Sequence, residues 1–116
     1  KVSDRQRFGV AVFDKRGKKL IAIEEKPRKP KSDYAQTGFY LYDFNIFSYI
    51  KKLKPSARGE LEITDANNRY LERGELSFSI VKGRWYDTGT FESLLAASSA
   101  IARQSKRLAK KNGARF

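Results

Sequence analysis

Leu20-Ile21-Ala22-Ile23-Glu24-Glu25-Lys26-Pro27 reads as an apolar β-strand that runs into two carboxylates, an ammonium group and a proline. The four apolar residues are a short buried strand, and Pro27, with no N–H to give a sheet ladder, ends it. The charges therefore stand at a carboxyl edge, the side on which open α/β sheets bind ligands. An acceptor-only carboxylate next to a three-donor ammonium suits a ligand with hydroxyls and an anionic group. A strand that simply ends in solvated charge fits the same residues, because charged side chains are mostly exposed.

Upstream, Phe8-Gly9-Val10-Ala11-Val12-Phe13 is apolar on both faces, and Asp14-Lys15-Arg16-Gly17 is a turn, so the two strands form a hairpin. Downstream, Lys26 to Lys31 holds two prolines and four basic residues and reads as an exposed connection. Tyr34 to Tyr42 follows as a third strand, interrupted by Gly38, a residue that inside a strand marks a bulge or a close backbone approach to a ligand. Asp43 is placed to cap a short helix with Phe47, Ile50 and Leu53 on one side, ended by Lys54-Pro55. After the loop Ser56-Ala57-Arg58-Gly59, a helix from about Leu61 to Glu72 puts Ile63, Ala66, Tyr70 and Leu71 on one stripe and stops at Gly74. Leu76 to Val81 reads as a fourth strand. Lys82-Gly83-Arg84 turns into Trp85-Tyr86-Asp87-Thr88-Gly89, and Thr90 caps a long helix whose Phe91, Leu94, Leu95, Ser98 and Ile101 are expected to face inward.

The expected fold class is α/β: a mixed sheet of four to five strands with about three helices, in one domain over residues 1–116 that ends in a basic helical tail from about 103. The first and third strands are apolar on both faces and three helices are few to cover them, so further structure is expected beside this chain. The absence of Met, with a start at Lys1-Val2-Ser3, carries the same expectation of a piece excised from a longer protein.

Composition narrows the chemistry. With 116 residues, 40% of them hydrophobic, the chain has material for one core and is too apolar for a disordered tail. It contains no Cys and no His, so disulfides, thiolate metal sites and imidazole catalysis are excluded, and chemistry falls to carboxylates, Lys, Arg and backbone. No apolar run reaches the ~20 residues that span a bilayer and no signal-peptide pattern opens the chain, so a cytoplasmic protein is expected. The net charge of +12 suits anionic partners: nucleotides, sugar phosphates, nucleic acid or an acidic protein surface. Six basic residues and no acidic one lie between Arg103 and Phe116, a pattern that also suits a solvated helix C-terminus.

Lys26 and Arg58 are candidate phosphate binders, one a point charge and the other a planar fork. Glu25 can accept hydrogen bonds from two neighbouring sugar hydroxyls. Asp87, between a short strand and a helix, is a candidate Mg²⁺ ligand, since that ion takes one or two carboxylates with phosphates and water. Trp85 and Tyr40 read from the residues alone as core or cross-strand packers.

Taken together, Phe8-Gly9-Val10, Glu24-Glu25-Lys26-Pro27, Thr37-Gly38-Phe39-Tyr40-Leu41-Tyr42-Asp43, Ser56-Ala57-Arg58-Gly59-Glu60-Leu61-Glu62-Ile63-Thr64-Asp65 and Trp85-Tyr86-Asp87-Thr88-Gly89-Thr90 resemble, in this order, the sugar-1-phosphate nucleotidyltransferase family. The long block from Gly59 to Asp65 points to the branch that transfers a thymidylyl group from dTTP to glucose-1-phosphate. The resemblance implies a Rossmann-like nucleotidyltransferase fold of which this chain is the second, sugar-binding half. It implies sugar contacts at Gly9 and Glu25, phosphate contacts at Lys26 and Arg58, pocket walls at Gly38, Tyr40 and Trp85, and a Mg²⁺ ion shared by Asp87 with an aspartate of the first half. A nucleoside triphosphate is the second substrate, and a homo-oligomer is expected for the full-length enzyme. The family's Gly-x-Gly-Thr-Arg triphosphate loop does not occur in this sequence, so the chain alone is expected to be inactive. Gln36 stands where an aliphatic residue is usual. A different reading of the same composition is a non-catalytic basic α/β module that binds nucleic acid or an acidic protein; the aromatics follow core periodicity rather than an exposed stacking face, which disfavours it.

Overall fold

Alternating apolar residues on either side of a tight turn give the chain its sheet. In the computed structural model, which describes residues 1–111, β1 (Gly9–Phe13) and β2 (Leu20–Glu25) pair antiparallel with Gly9 opposite Glu25 and Ala11 opposite Ile23. The hairpin turn is built as its residues demand. The Asp14 carboxylate accepts the backbone N–H groups of Lys18 and Lys19 at 2.8 and 3.0 Å, and Gly17 takes φ +67°, a conformation open to glycine. A register shift between Val12 and Phe13 leaves Ile21 unpaired and half exposed.

The chain divides into two units, Lys1–Ser77 and Phe78–Phe116. In the first, α1 (Ile46–Ile50) and α2 (Ile63–Glu72) join the hairpin. Ile46, Ala66 and Tyr70 are the buried centre, with Tyr42, Tyr49, Leu53 and Leu76 packed round it. Asn68 fastens α2 to β2: its side-chain amide accepts the N–H of Ile23 at 2.9 Å and donates to the Ile23 carbonyl at 2.8 Å. One amide thus satisfies both backbone groups that an edge strand would otherwise leave open. Gly74, at φ +70°, ends α2 as its sequence predicts, and the helix starts at Ile63 rather than Leu61.

The second unit holds α3 (Phe91–Lys111). Thr90 caps it: its hydroxyl accepts the N–H of Ser93 at 3.2 Å, and the Ser93 hydroxyl accepts the N–H of Thr90 at 3.1 Å, a reciprocal box. The last residues of the expected basic tail, 112–116, lie outside the described residues.

The sheet, the α3 face and the α1 cap all differ from expectation. The described residues form a two-stranded sheet, not one of four to five strands. The third strand, Tyr34 to Tyr42, is reduced to one bridge, Ala35 to Val10, flanked by Ala11 N–H to the Tyr34 carbonyl (2.9 Å) and Gln36 N–H to the Gly9 carbonyl (2.7 Å). Beyond it the side chains still alternate as in a strand, Phe39 and Leu41 exposed and Tyr40 and Tyr42 half-buried, but the backbone meets no ladder partner among the described residues. Leu76 to Val81 fails as the fourth strand for the same reason: a strand is completed by its neighbour, and side-chain pattern alone does not supply one. The inward face expected for α3 is also open, with Phe91 90% and Leu95 69% exposed, while Ala100 is buried. Asp43 does not cap α1 directly; Asn45 is the N-cap, and the Asp43 carboxylate instead closes the preceding turn by accepting the Asn45 N–H at 3.0 Å.

Candidate functional site

β2 ends where the candidate site begins. Glu25 lies across the ladder from Gly9, and an added Cβ on Gly9 would stand 2.9 Å from Thr64 Oγ1, 3.1 Å from Gln36 Nε2 and 3.3 Å from Glu25 Oε2. Only glycine leaves room for the three polar groups that meet there. Glu25 Oε2 accepts a short hydrogen bond from the Thr64 hydroxyl, and Oε1 faces Arg58 Nη1 at 3.7 Å.

Thr64 heads a row of polar side chains. Its oxygen accepts Gln36 Nε2 at 3.2 Å, Gln36 Oε1 accepts Asn67 Nδ2 at 2.9 Å, and Asn67 Oδ1 accepts the Tyr42 hydroxyl at 2.7 Å. Thr64 and Asn67 are buried on α2, and no buried side-chain polar atom among the described residues lacks a partner. Burial pushes the Tyr40 hydroxyl above its ordinary value, a hydrogen bond from Gln36 opposes that, and the Glu25 charge adds to it. Burial pushes Tyr42 up to about 12, and burial together with the bond to Asp43 (2.6 Å) raises Tyr70. Tyr40, Tyr42 and Tyr70 stack in a column with ring centres 5.9 and 5.7 Å apart, and Tyr49 meets Tyr70 edge to face at 4.8 Å, which ties the site to the core.

Arg58 sits in the turn Ser56–Glu60, closed by Ser56 N–H to the Glu60 carbonyl at 2.8 Å and by Gly59 at φ +76°. Its guanidinium meets three carboxylates, Glu60 at 2.5 Å, Glu62 at 3.4 Å and Glu25 at 3.7 Å. Glu62 is buried and held by the Ser56 hydroxyl at 2.9 Å, whereas Glu60 is exposed. The exposed pair is the one an incoming anion can displace at little cost. Lys26 is exposed and forms no ion pair among the described residues. Its φ of +41° is the one positive value among the described non-glycine residues, and it turns the chain sharply off β2 beside Glu25.

The structure therefore brings together Gly9, Glu25, Tyr40 and Arg58, with Lys26 next to them in the chain. Gly38 is exposed, has an ordinary backbone angle and open space where a Cβ would go, so nothing crowds it in the described residues. Trp85 and Asp87 belong to the second unit, where both are half-buried; a Cβ on Gly89 would stand 3.5 and 3.6 Å from the two Asp87 carboxylate oxygens. Among the described residues no group of three or more acidic side chains could hold a metal by itself. A lone carboxylate fits Mg²⁺ as one contributor to a site completed by phosphates, water and another carboxylate. Sequence reasoning passed over Thr64, Asn67 and Glu62 as actors; the signal was a threonine and an asparagine at i and i+3 on the stripe of α2 that carries Ala66 and Tyr70 into the core. Separately, a groove of about 730 Å³ runs between the start of β2, the end of α1 and α2, lined among others by Lys19, Ile21, Lys52, Leu53 and Arg69; it contains none of the expected site residues.

Residues 1–104 match the sequence model of the family described as nucleotidyl transferase. The chain is 54% identical over 104 residues to glucose-1-phosphate thymidylyltransferase of Neisseria gonorrhoeae, covering 87% of this chain and 35% of that protein. It is 48% identical over 102 residues to the enzyme of the same name from Mycolicibacterium smegmatis, covering 86% and 35%. A crystal structure of a Bacillus anthracis protein assigned as glucose-1-phosphate thymidylyltransferase, in complex with sucrose, superposes with a TM-score of 0.74 at 60% identity, over 85% of this chain and 39% of that one. The chain thus spans about a third of the length of the curated relatives it matches. With the family's sequence model running through β1, β2, α1, α2 and most of α3, this chain belongs to the nucleotidyl transferase family.

Proposed function

We propose that this chain is the sugar-1-phosphate-binding portion of an enzyme that transfers dTMP from dTTP to glucose-1-phosphate. The observation that carries the reading is the convergence of Glu25, Arg58 and Gly9 at one strand end, in a chain about half identical to glucose-1-phosphate thymidylyltransferases over most of its length. Glu25 accepts sugar hydroxyls, and Gly9, whose missing Cβ leaves room for the Glu25, Thr64 and Gln36 side chains, is a further sugar contact. Arg58 and Lys26 neutralise the sugar phosphate, Arg58 by exchanging Glu60 for it. Tyr40 and Gly38 wall the pocket within the first unit.

In the reaction an oxygen of the sugar phosphate attacks the α-phosphorus of the triphosphate, the bond from that phosphorus to the β-phosphate oxygen breaks, and pyrophosphate leaves. No covalent enzyme intermediate is required, so the residues act by positioning and charge neutralisation. Asp87 would contribute one ligand to Mg²⁺, which when bound offsets the charge of the phosphates. The triphosphate loop and the second metal carboxylate fall to the N-terminal nucleotide-binding half, and the full-length enzyme is a cytoplasmic homo-oligomer.

The test is pyrophosphate release from dTTP, glucose-1-phosphate and Mg²⁺. The complete protein should release it and residues 1–116 alone should not. Sugar-dependent turnover that co-purifies with the 116-residue chain, or none from the complete protein, overturns the reading. The charge of +12 favours a second possibility, nucleic-acid binding. That reading requires affinity for single-stranded DNA that falls steeply with salt, which a titration between 50 and 200 mM salt measures directly.

A further inference from the structure

We propose that Gln36 is a positioning residue, which through Thr64 fixes the orientation of the Glu25 carboxylate toward the sugar. This rests on the reading of Glu25 as an acceptor of sugar hydroxyls.

The argument follows the donors along the row. The Tyr42 hydroxyl donates to Asn67 Oδ1, which leaves Asn67 Nδ2 as the donor to Gln36 Oε1. Gln36 is then bound to present Nε2, a donor, to the Thr64 oxygen. A hydroxyl has a single proton, and with the Gln36 donor on its oxygen that proton goes to Glu25 Oε2. Every step has one polarity, so Glu25 arrives with Oε2 committed and Oε1 on the Arg58 side. Gln36 is itself anchored, its N–H donating to the Gly9 carbonyl at 2.7 Å next to the Ala35–Val10 bridge. The convergence of Thr64 Oγ1, Gln36 Nε2 and Glu25 Oε2 within 3.3 Å of one point on Gly9 leaves little space for another arrangement. An aliphatic side chain at position 36 would leave the Thr64 hydroxyl free to turn toward the ligand and Glu25 free to rotate. Asn67 Nδ2 would also lose its acceptor, so the row would fail as a unit.

The experiment is a double-mutant cycle in the complete enzyme, with KM for glucose-1-phosphate and KM for dTTP measured separately for wild type, Gln36→Met, Glu25→Gln and the double variant. Gln36→Met keeps the length of the side chain and removes its hydrogen bonds. It should raise KM for the sugar phosphate about five- to tenfold, in line with one or two lost hydrogen bonds, and leave KM for dTTP within about twofold. The loss from Glu25→Gln should be smaller in the Gln36→Met background than in wild type, because the two residues act through one carboxylate. Effects that multiply independently, or a rise in both KM values together, overturn the proposal. If Gln36→Met does not fold, Gln36→Glu takes its place: it keeps the acceptor for Asn67 and withdraws the donor from Thr64, so the same selective rise is expected, and unchanged sugar kinetics are the contrary result. A Glu25→Gln enzyme with unaltered sugar kinetics would instead sink the underlying assignment of Glu25, which keeps the two failures apart.

Discussion

Lys26 combines an uncommitted ammonium with a backbone angle of +41° that L-residues avoid. The two properties separate by substitution. Lys26→Gly removes charge and relieves the left-handed conformation, whereas Lys26→Ala removes the charge alone. Both should weaken sugar-phosphate use about ten- to a hundredfold, the worth of one charge-assisted contact of about 1.5–3 kcal/mol, while Lys26→Gly melts higher than Lys26→Ala by about 1 kcal/mol of stability. Kinetics checks the first claim and thermal melting the second. Arg58 poses the opposite case, a cation already surrounded by Glu25, Glu60 and Glu62. Glu60→Gln should free it and tighten sugar-phosphate binding about 1.4- to 5-fold, the range of an exposed ion pair of about 0.2–1 kcal/mol. Calorimetric titration at low and high salt measures this; weaker binding in Glu60→Gln would make Glu60 a contributor rather than a competitor. At this scale the sequence displayed Glu25, Lys26 and Arg58 because charge at a strand end and in a glycine turn is visible in one dimension. Gln36 and Thr64 were not legible as partners, since their contact joins positions 28 apart through a fold that only α2 packing on β2 creates.

Elements that close on their own residues were legible, and those that need a neighbour were not. The hairpin rests on Asp14, Gly17 and two apolar runs, and it forms as read. The segments 37–42 and 76–81 carry strand-like side chains without ladders, because hydrogen-bond partners are not encoded in the segment itself. α3 shows the distinction within a single element: its cap at Thr90 is local and legible in the sequence, while its apolar face, Phe91, Leu94 and Leu95, is exposed. The cap gives a clean test of Asp87. Thr90→Ala should cost about 0.5–2 kcal/mol of stability with little change in chemistry. Asp87→Asn in the complete enzyme should leave the metal-free melting temperature nearly unchanged and abolish Mg²⁺-dependent turnover. A large fall in melting temperature with activity retained would make Asp87 a structural residue.

Across the whole molecule, the tyrosine column links the candidate site to stability through pH. Tyr42 holds its proton up to about 12 in the fold, mainly through burial, whereas in the unfolded chain it ionises near 10.0. The folded state therefore binds more protons between those values, so its contribution is complete below pH 10 and is lost as pH rises toward 12. Asp43, lowered chiefly by the Tyr70 hydroxyl, has the reverse sign: its contribution is present above its ordinary 3.8 and is lost as pH falls. Thermal melts from pH 8 to 12 should show an alkaline decline that Tyr42→Phe makes shallower; an identical profile in that variant would separate the column from stability. The central claim, that one strand end of this chain grips a sugar-1-phosphate, is tested most directly by calorimetric titration of glucose-1-phosphate, with glucose and inorganic phosphate as controls, into the complete protein and its Arg58→Ala variant. Saturable binding of the sugar phosphate, tighter than either control and weakened about ten- to a hundredfold in Arg58→Ala, is the expected result. Equal affinity in wild type and variant, or no preference for the sugar phosphate over free phosphate, would contradict it.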